Sequence, residues 1–174
     1  GGCGAWLARR SRTKYPSLLR FLHAKWDEAV TIAHKPQWRL VGVAGERLPM
    51  KAKMIHRCIH VLDLEKSLAF YKRAFGLDVV REISRAEGSR KIVYIGNDTT
   101  DFELELVWES GRTEAYDNGS NDTHLAFAVD DVDAARLLHD EMDCVCHELG
   151  RDGIYFIEDP DGCCLEIVPS NLWD

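Results

Sequence analysis

Two stretches of the chain, one opening at Ile55 and the other at His124, pass through the same succession of patterns: a strand, a capped helix, then three strands. An internal repeat constrains the fold more than composition does, because one copy cannot bury its apolar face alone and must be covered by the other. In the first copy Ile55-His56-Arg57-Cys58-Ile59-His60-Val61 reads as a strand. Asp63 stands as an N-cap, Leu64, Leu68, Tyr71 and Phe75 recur at helical spacing, and Gly76 closes the helix. Strands are predicted over 79–83, 91–95 and 102–108. In the second copy residues 124–129 read as a strand and Asp131 caps a helix through Val132, Ala135, Leu138 and Met142. Further strands are predicted over 144–147, 154–157 and 164–168. The expected fold class is α+β, built as two βαβββ modules.

Strand parity turns this pattern into chemistry, since successive side chains alternate between faces. In the first strand His56, Cys58 and His60 share one face, while Ile55, Ile59 and Val61 share the other with Arg57. Phe102, Leu104, Leu106 and Trp108 form an apolar face, so Glu103 and Glu105 point the opposite way. In the second copy Leu125, Phe127 and Val129 face the core with His124 pointing away, and Leu165 and Ile167 lie opposite Glu166. Each copy thus carries a histidine at the start of its first strand and a glutamate on its last, both off the core face. Taken singly, each such residue is a structural or solvated side chain. Repeated at the same place in both copies, two His and two Glu make a site for a divalent metal, with neutral imidazole and carboxylate ligands that suit nickel, cobalt, zinc, iron or manganese.

Charge separates this repeat from what precedes it. Residues 1–53 hold 11 Lys+Arg against 3 Asp+Glu, and residues 54–174 hold 11 against 26, so a net charge of −7 divides into +8 and −15. The acidic part lacks the clustered Lys and Arg that phosphate contacts require, which argues against nucleic-acid binding. The basic part holds three of the five tryptophans (Trp6, Trp26, Trp38) and no sustained period. It is expected to be disordered or foreign to the domain, translated upstream of a start at one of the first methionines, Met50 or Met54. A targeting peptide and a basic interaction arm are the other readings. No apolar run approaches the roughly 20 residues that span a bilayer, and no charged-then-apolar leader opens the chain, so neither membrane insertion nor secretion is expected. The six cysteines, as Cys3, Cys58, Cys144-Val145-Cys146 and Cys163-Cys164, lack the spacing of a structural zinc site or a small disulfide scaffold, and are expected to be free thiols in a reducing cytoplasm.

Several motifs occur in order: Ile55-His56, then Asp63-Leu64-Glu65-Lys66-Ser67 with Phe70-Tyr71, Phe102-Glu103-Leu104-Glu105-Leu106, Thr123-His124-Leu125-Ala126, and Glu158-Asp159-Pro160-Asp161-Gly162 before Leu165-Glu166. Over about residues 54–169 this order resembles the vicinal oxygen chelate superfamily and, within it, the glyoxalase I (lactoylglutathione lyase) family. The resemblance implies that the modules form a half-barrel around one divalent metal held by His56, Glu105, His124 and Glu166. It also implies a homodimer with sites shared between subunits, His56 and Glu105 of one chain facing the second His/Glu pair of its partner. The short interval from Glu105 to His124 resembles the nickel- or cobalt-activated form, with zinc as the alternative metal. The implied reaction isomerises the hemithioacetal of methylglyoxal, or another 2-oxoaldehyde, and a thiol to the 2-hydroxyacyl thioester. Glutathione or another low-molecular-weight thiol is the co-substrate, Glu166 the base, and Glu105 a ligand and second base.

The chain departs from that family in the thiol subsite. Glutathione-using members carry arginine where this chain has His60 and asparagine where it has Glu109, and both residues share a face with the expected ligands. An acid there repels glutathione carboxylates, Arg57 points to the other face, and the short loop from His147 to Tyr155 leaves Arg151 as the nearest cation. Cys58 and Cys164 also fall on the ligand faces, and each is read first as a small buried residue and second as a pocket thiol. Other readings are another metal-dependent member of the superfamily (epimerase, thiol transferase or dioxygenase) or a non-catalytic ligand-binding module. The second glutamate, Glu105, favours the lyase over the epimerase, and the full set of four metal residues argues against a pure binding module.

Overall fold

The computed structural model describes residues 52–84, 88–119, 123–150 and 152–172, so the readings of residues 1–51 and of Arg151 lie outside the described residues. The element order is β1 (His56–Val61), α1 (Leu64–Phe75), β2 (Asp78–Ser84), β3 (Arg90–Gly96), β4 (Glu103–Glu109), β5 (Leu125–Val129), α2 (Val132–Glu141), β6 (Val145–Glu148), β7 (Tyr155–Glu158) and β8 (Cys164–Pro169), with a 3-10 turn at Ser170–Leu172. Strand, helix, then three strands occurs twice, as the repeat requires.

Local chemistry sets the helix ends. Asp63 is extended and its carboxylate accepts from the Lys66 N–H at 3.0 Å, while Asp131 accepts from Ala134 N–H at 2.9 Å. Either cap contributes about 1 kcal/mol, because it satisfies a donor that the helix itself leaves orphaned. Gly76 closes α1 in the left-handed region at φ 68°, donating its N–H to the Lys72 carbonyl at 3.0 Å. The second helix ends without glycine: Met142 stays helical and Asp143 takes φ 52° after it.

Each module forms a four-stranded mixed sheet, in the order β1-β4-β3-β2 and β5-β8-β7-β6. The first strand of each lies parallel to the last, and the remaining pairs are antiparallel. The helix carries the chain from the first strand to the far edge of the sheet, and the antiparallel strands that follow bring the last strand back beside the first. The apolar sheet faces and helices of both modules meet in a single core, in which Val61, Tyr71, Leu106, Ile157 and Ile167 are almost wholly buried. Phe75 of α1 stacks on Phe127 of β5, with centroids 3.8 Å apart and planes at 10°. Ile55 departs from its expected place in this core and is 56% exposed, because β1 begins only at His56.

A second join runs through the turn before β8. Gly162 takes φ 78° there, and Asp159 accepts from the N–H groups of Asp161 and Cys163 at 2.9 and 2.8 Å. The same two acids then reach into the first module. The Tyr71 hydroxyl donates to Asp159 at 2.8 Å, and Asp161 accepts from Leu62 N–H at 3.0 Å and from the Ser67 hydroxyl at 3.3 Å. With core and turn both spent on holding the modules together, the opposite face of each sheet remains for function.

Candidate active site

His56 and Glu105 lie together on that opposite face of the first sheet, Nε2 to Oε2 at 3.1 Å, and His124 and Glu166 do the same on the second at 3.0 Å. Ladder register explains both. His56 pairs with Glu103 and Cys58 with Glu105, so the histidine sits diagonally across from the glutamate two residues along. On the second sheet Ala126 pairs with Glu166, which puts His124 in the same diagonal relation. The histidines are about equally exposed, 32% and 31% of side-chain area, and the glutamates about equally covered, at 12% and 16% exposed. The two half-sites are near copies in contact and in burial.

Register also identifies residues that parity alone does not single out. Tyr94 of β3 pairs with Glu105, and Phe156 of β7 pairs with Glu166. Each ring carries the module's histidine edge-on: His56 against Tyr94 at 5.6 Å and 84°, His124 against Phe156 at 5.7 Å and 88°. These aromatic floors fix the imidazole planes. The Tyr94 hydroxyl and the Cys58 thiol lie beside Glu105, their ladder partner on β4, and feel its carboxylate. Interaction with that carboxylate, together with desolvation, raises the pKa of the Tyr94 hydroxyl, and partial desolvation followed by the Glu105 charge raises that of Cys58. Arg81 lies over the Tyr94 ring at 3.7 Å and pairs with Glu103 at 2.6 Å.

Each Nε2–H donates to its carboxylate, so the nitrogen and the oxygen converge on a position held by a proton. A divalent cation can replace that proton, and neutral imidazole with carboxylate is the donor set such a cation accepts. Each half supplies two ligands. Among the described residues no group of three or more His, Cys, Asp or Glu gathers around one point, so the four sequence-predicted ligands come together as two pairs rather than as one cluster within the chain.

Beyond the first pair, His60 and Glu109 continue along the same sheet face. The His60 ring lies 5.2 Å from Tyr116, over which Arg112 sits at 3.9 Å, and Arg90 pairs with Glu109 across β3 and β4. The Arg90 Nε and the Tyr116 hydroxyl are buried without a hydrogen-bond partner. Arg57 is on the other face, close enough for its charge to act on buried Tyr71, as parity requires. Cys164 is buried as expected, whereas Cys58 is exposed on the ligand face, since the open side of the first sheet leaves it uncovered. The five described cysteines are free thiols. Burial raises Cys144 to about 11, and Cys146 and Cys164 interact directly, which raises Cys146 and lowers Cys164.

Residues 53–167 match the family model of the Glyoxalase/Bleomycin resistance protein/Dioxygenase superfamily. The chain belongs to that superfamily. Within it, the lactoylglutathione lyase of Neisseria meningitidis serogroup A is 33% identical over 132 residues, covering 70% of this chain and 94% of that protein. The lactoylglutathione lyase of Salmonella typhimurium is 30% identical over 126 residues, 68% and 93% of the two chains. Among solved structures, the trypanothione-dependent glyoxalase I of Leishmania major superposes with a TM-score of 0.63 at 28% identity, covering 70% of this chain and 89% of that one. This glyoxalase-superfamily chain is an enzyme of the glyoxalase I type, a lyase. No helix among its described residues is long and apolar enough to cross a membrane.

Proposed function

We propose that the chain isomerises the hemithioacetal formed by methylglyoxal and a thiol to the 2-hydroxyacyl thioester, using a site built from the first module of one subunit and the second module of another. The observation that carries this reading is the duplicated His/Glu pair, at 3.1 and 3.0 Å, on two outward sheet faces that each hold only half a ligand set. A homodimer supplies the complement, because an isologous pairing of chains sets first module against second twice over. His56, Glu105, His124 and Glu166 would hold one divalent cation, nickel or cobalt by preference, and its Lewis acidity would stabilise negative charge developing on the two neighbouring oxygens of the substrate. Residues 54–174 form the lyase domain, residues 1–53 lie outside it, and the enzyme works in the cytoplasm.

The chain's own residues move the proton. Glu166 takes the C1 hydrogen of the hemithioacetal as a proton, and the electrons of the broken C–H bond form the carbon–carbon double bond of an enediolate. The same carboxyl returns the proton to the neighbouring carbon as the double bond is consumed, and the C1 hydroxyl proton passes to the oxygen on that carbon, so that C1 becomes the thioester carbonyl and its neighbour carries the 2-hydroxyl. Nothing is oxidised overall, so no redox cofactor is required. Tyr94 and Phe156 hold the two imidazoles in plane, and Arg90, Arg112 and Tyr116 offer donors to a thiol co-substrate beside His60 and Glu109. Glutathione is the co-substrate this reading favours.

Thioester absorbance tests it. Demetallated protein, given nickel, cobalt, zinc or manganese with methylglyoxal and glutathione, is expected to regain a rate that Glu166→Gln abolishes. Stoichiometric bound metal with no thioester from glutathione or other small thiols would overturn the assignment.

A further inference from the structure

The two half-sites match in distance and exposure but differ in what surrounds their carboxylates. Two positions flank each glutamate in ladder register. Around Glu105 they are Cys58 on β1 and Tyr94 on β3, which set a thiol and a hydroxyl, both able to donate, beside its carboxylate. Around Glu166 they are Ala126 on β5 and Phe156 on β7, which have no donor to offer. The difference extends outward. The Tyr94 ring is clamped by Arg81 at 3.7 Å, and Arg81 is itself anchored on Glu103 at 2.6 Å, whereas on its β6 side the Phe156 ring meets the His147 ring, at 6.0 Å.

A carboxylate on a cation is a poor base, so one of the two glutamates must release the cation to accept a proton, and the other must stay to hold it. We propose that Cys58 and Tyr94 are positioning residues that pin Glu105 in place, and that their replacement by Ala126 and Phe156 in the second module leaves Glu166 the carboxylate free to move. The repeat would otherwise make the two glutamates interchangeable. The inference rests on the metal lyase reading above, and it assigns the modules different duties: the first retains the cation and the second exchanges it for the substrate proton. Hydrogen bonds to an ionised acceptor are the stronger kind, and partners that orient a ligand commonly change metal affinity as much as a ligand contact does.

The test separates pinning from simple packing. Nickel affinity, measured by competition with a chelator, is expected to fall roughly 10- to 100-fold in the Cys58→Ala, Tyr94→Phe double variant. Cys58→Ser with Tyr94 intact keeps a donor at each position and is expected to retain most of the affinity, which a merely structural role for the side chain would not predict. The reverse substitution, Phe156→Tyr, places a hydroxyl beside Glu166 and is expected to lower kcat about tenfold while nickel affinity holds or rises. Unchanged nickel affinity in the double variant overturns the proposal, as does an unchanged kcat in Phe156→Tyr. A wild-type protein without lyase activity, whose double variant nevertheless loses nickel affinity, would sink the assigned reaction and support the pin.

Discussion

The Tyr71 hydroxyl and the Asp159 carboxylate meet at 2.8 Å, joining the first module's helix to the turn that feeds the last strand of the second. Asp159 is 5% exposed, and burial raises its pKa, so this donated hydrogen bond offsets the cost of keeping the carboxyl away from water. Tyr71→Phe keeps the ring and removes the donor. It is expected to cost about 1–3 kcal/mol in chemical denaturation, the range for a buried group left without its partner. A change within error would show that solvent or a shifted Asp161 replaces the bond.

How far this join could be read from the sequence shows where such reading stops. The helix caps at Asp63, Asp131 and Gly76, the strand alternation and the two His/Glu pairs are local or periodic signals, and all eight strands fall within a few residues of their expected places. In Asp159-Pro160-Asp161-Gly162 the proline presets φ and the glycine permits the left-handed position, so the sequence marks a chain reversal there and nothing more. The turn's grip on Tyr71 and Leu62 spans 88 and 99 positions, and no local pattern encodes that distance. Tyr94 and Phe156 stayed hidden for a related reason. Parity places them on the right face, but only ladder register, which depends on turn lengths and on the bulges in β2 and β6, sets them beside Glu105 and Glu166. The grouping of the four ligands into two pairs follows from how the modules pack, which a repeat implies without orienting.

His139 is another residue that helical spacing passes over. It lies wholly buried on α2, where its Nε2–H donates to the Ala74 carbonyl at 3.3 Å, because a carbonyl can only accept. Nδ1 is then left to accept from the Tyr155 hydroxyl at 2.8 Å. Burial lowers its pKa below the usual 6.5. A depressed histidine binds its proton more readily in the unfolded chain, so its contribution is complete above about pH 6.5 and is lost as pH falls toward the folded value. Melting temperatures measured from pH 7.5 down to pH 5 should therefore decline more steeply in the wild type than in His139→Gln. Equal slopes would rule His139 out as the sensitive group.

Glu109 occupies the sheet face beside His60, where a co-substrate carboxylate would meet its charge. Removing a like charge at about 4 Å in a water-like medium is worth about 1 kcal/mol, or roughly a fivefold change in affinity. Glu109→Gln is thus expected to lower KM for the glutathione hemithioacetal by about that factor with little change in kcat. An increase in KM would instead make Glu109 a recognition residue, favouring a thiol that carries a cation there.

Mixing two inactive variants tests the assembly of the site most directly. One chain carries His56→Ala and Glu105→Gln, the other His124→Ala and Glu166→Gln, and each alone is expected to be inactive. Unfolded together and refolded, half of the dimers would be mixed, and each mixed dimer would hold one intact site made from the first module of one chain and the second module of the other. Lyase activity should return to about a quarter of the wild-type value per chain. A mixture that forms mixed dimers and stays inactive, beside an active wild type, would contradict a site shared between subunits.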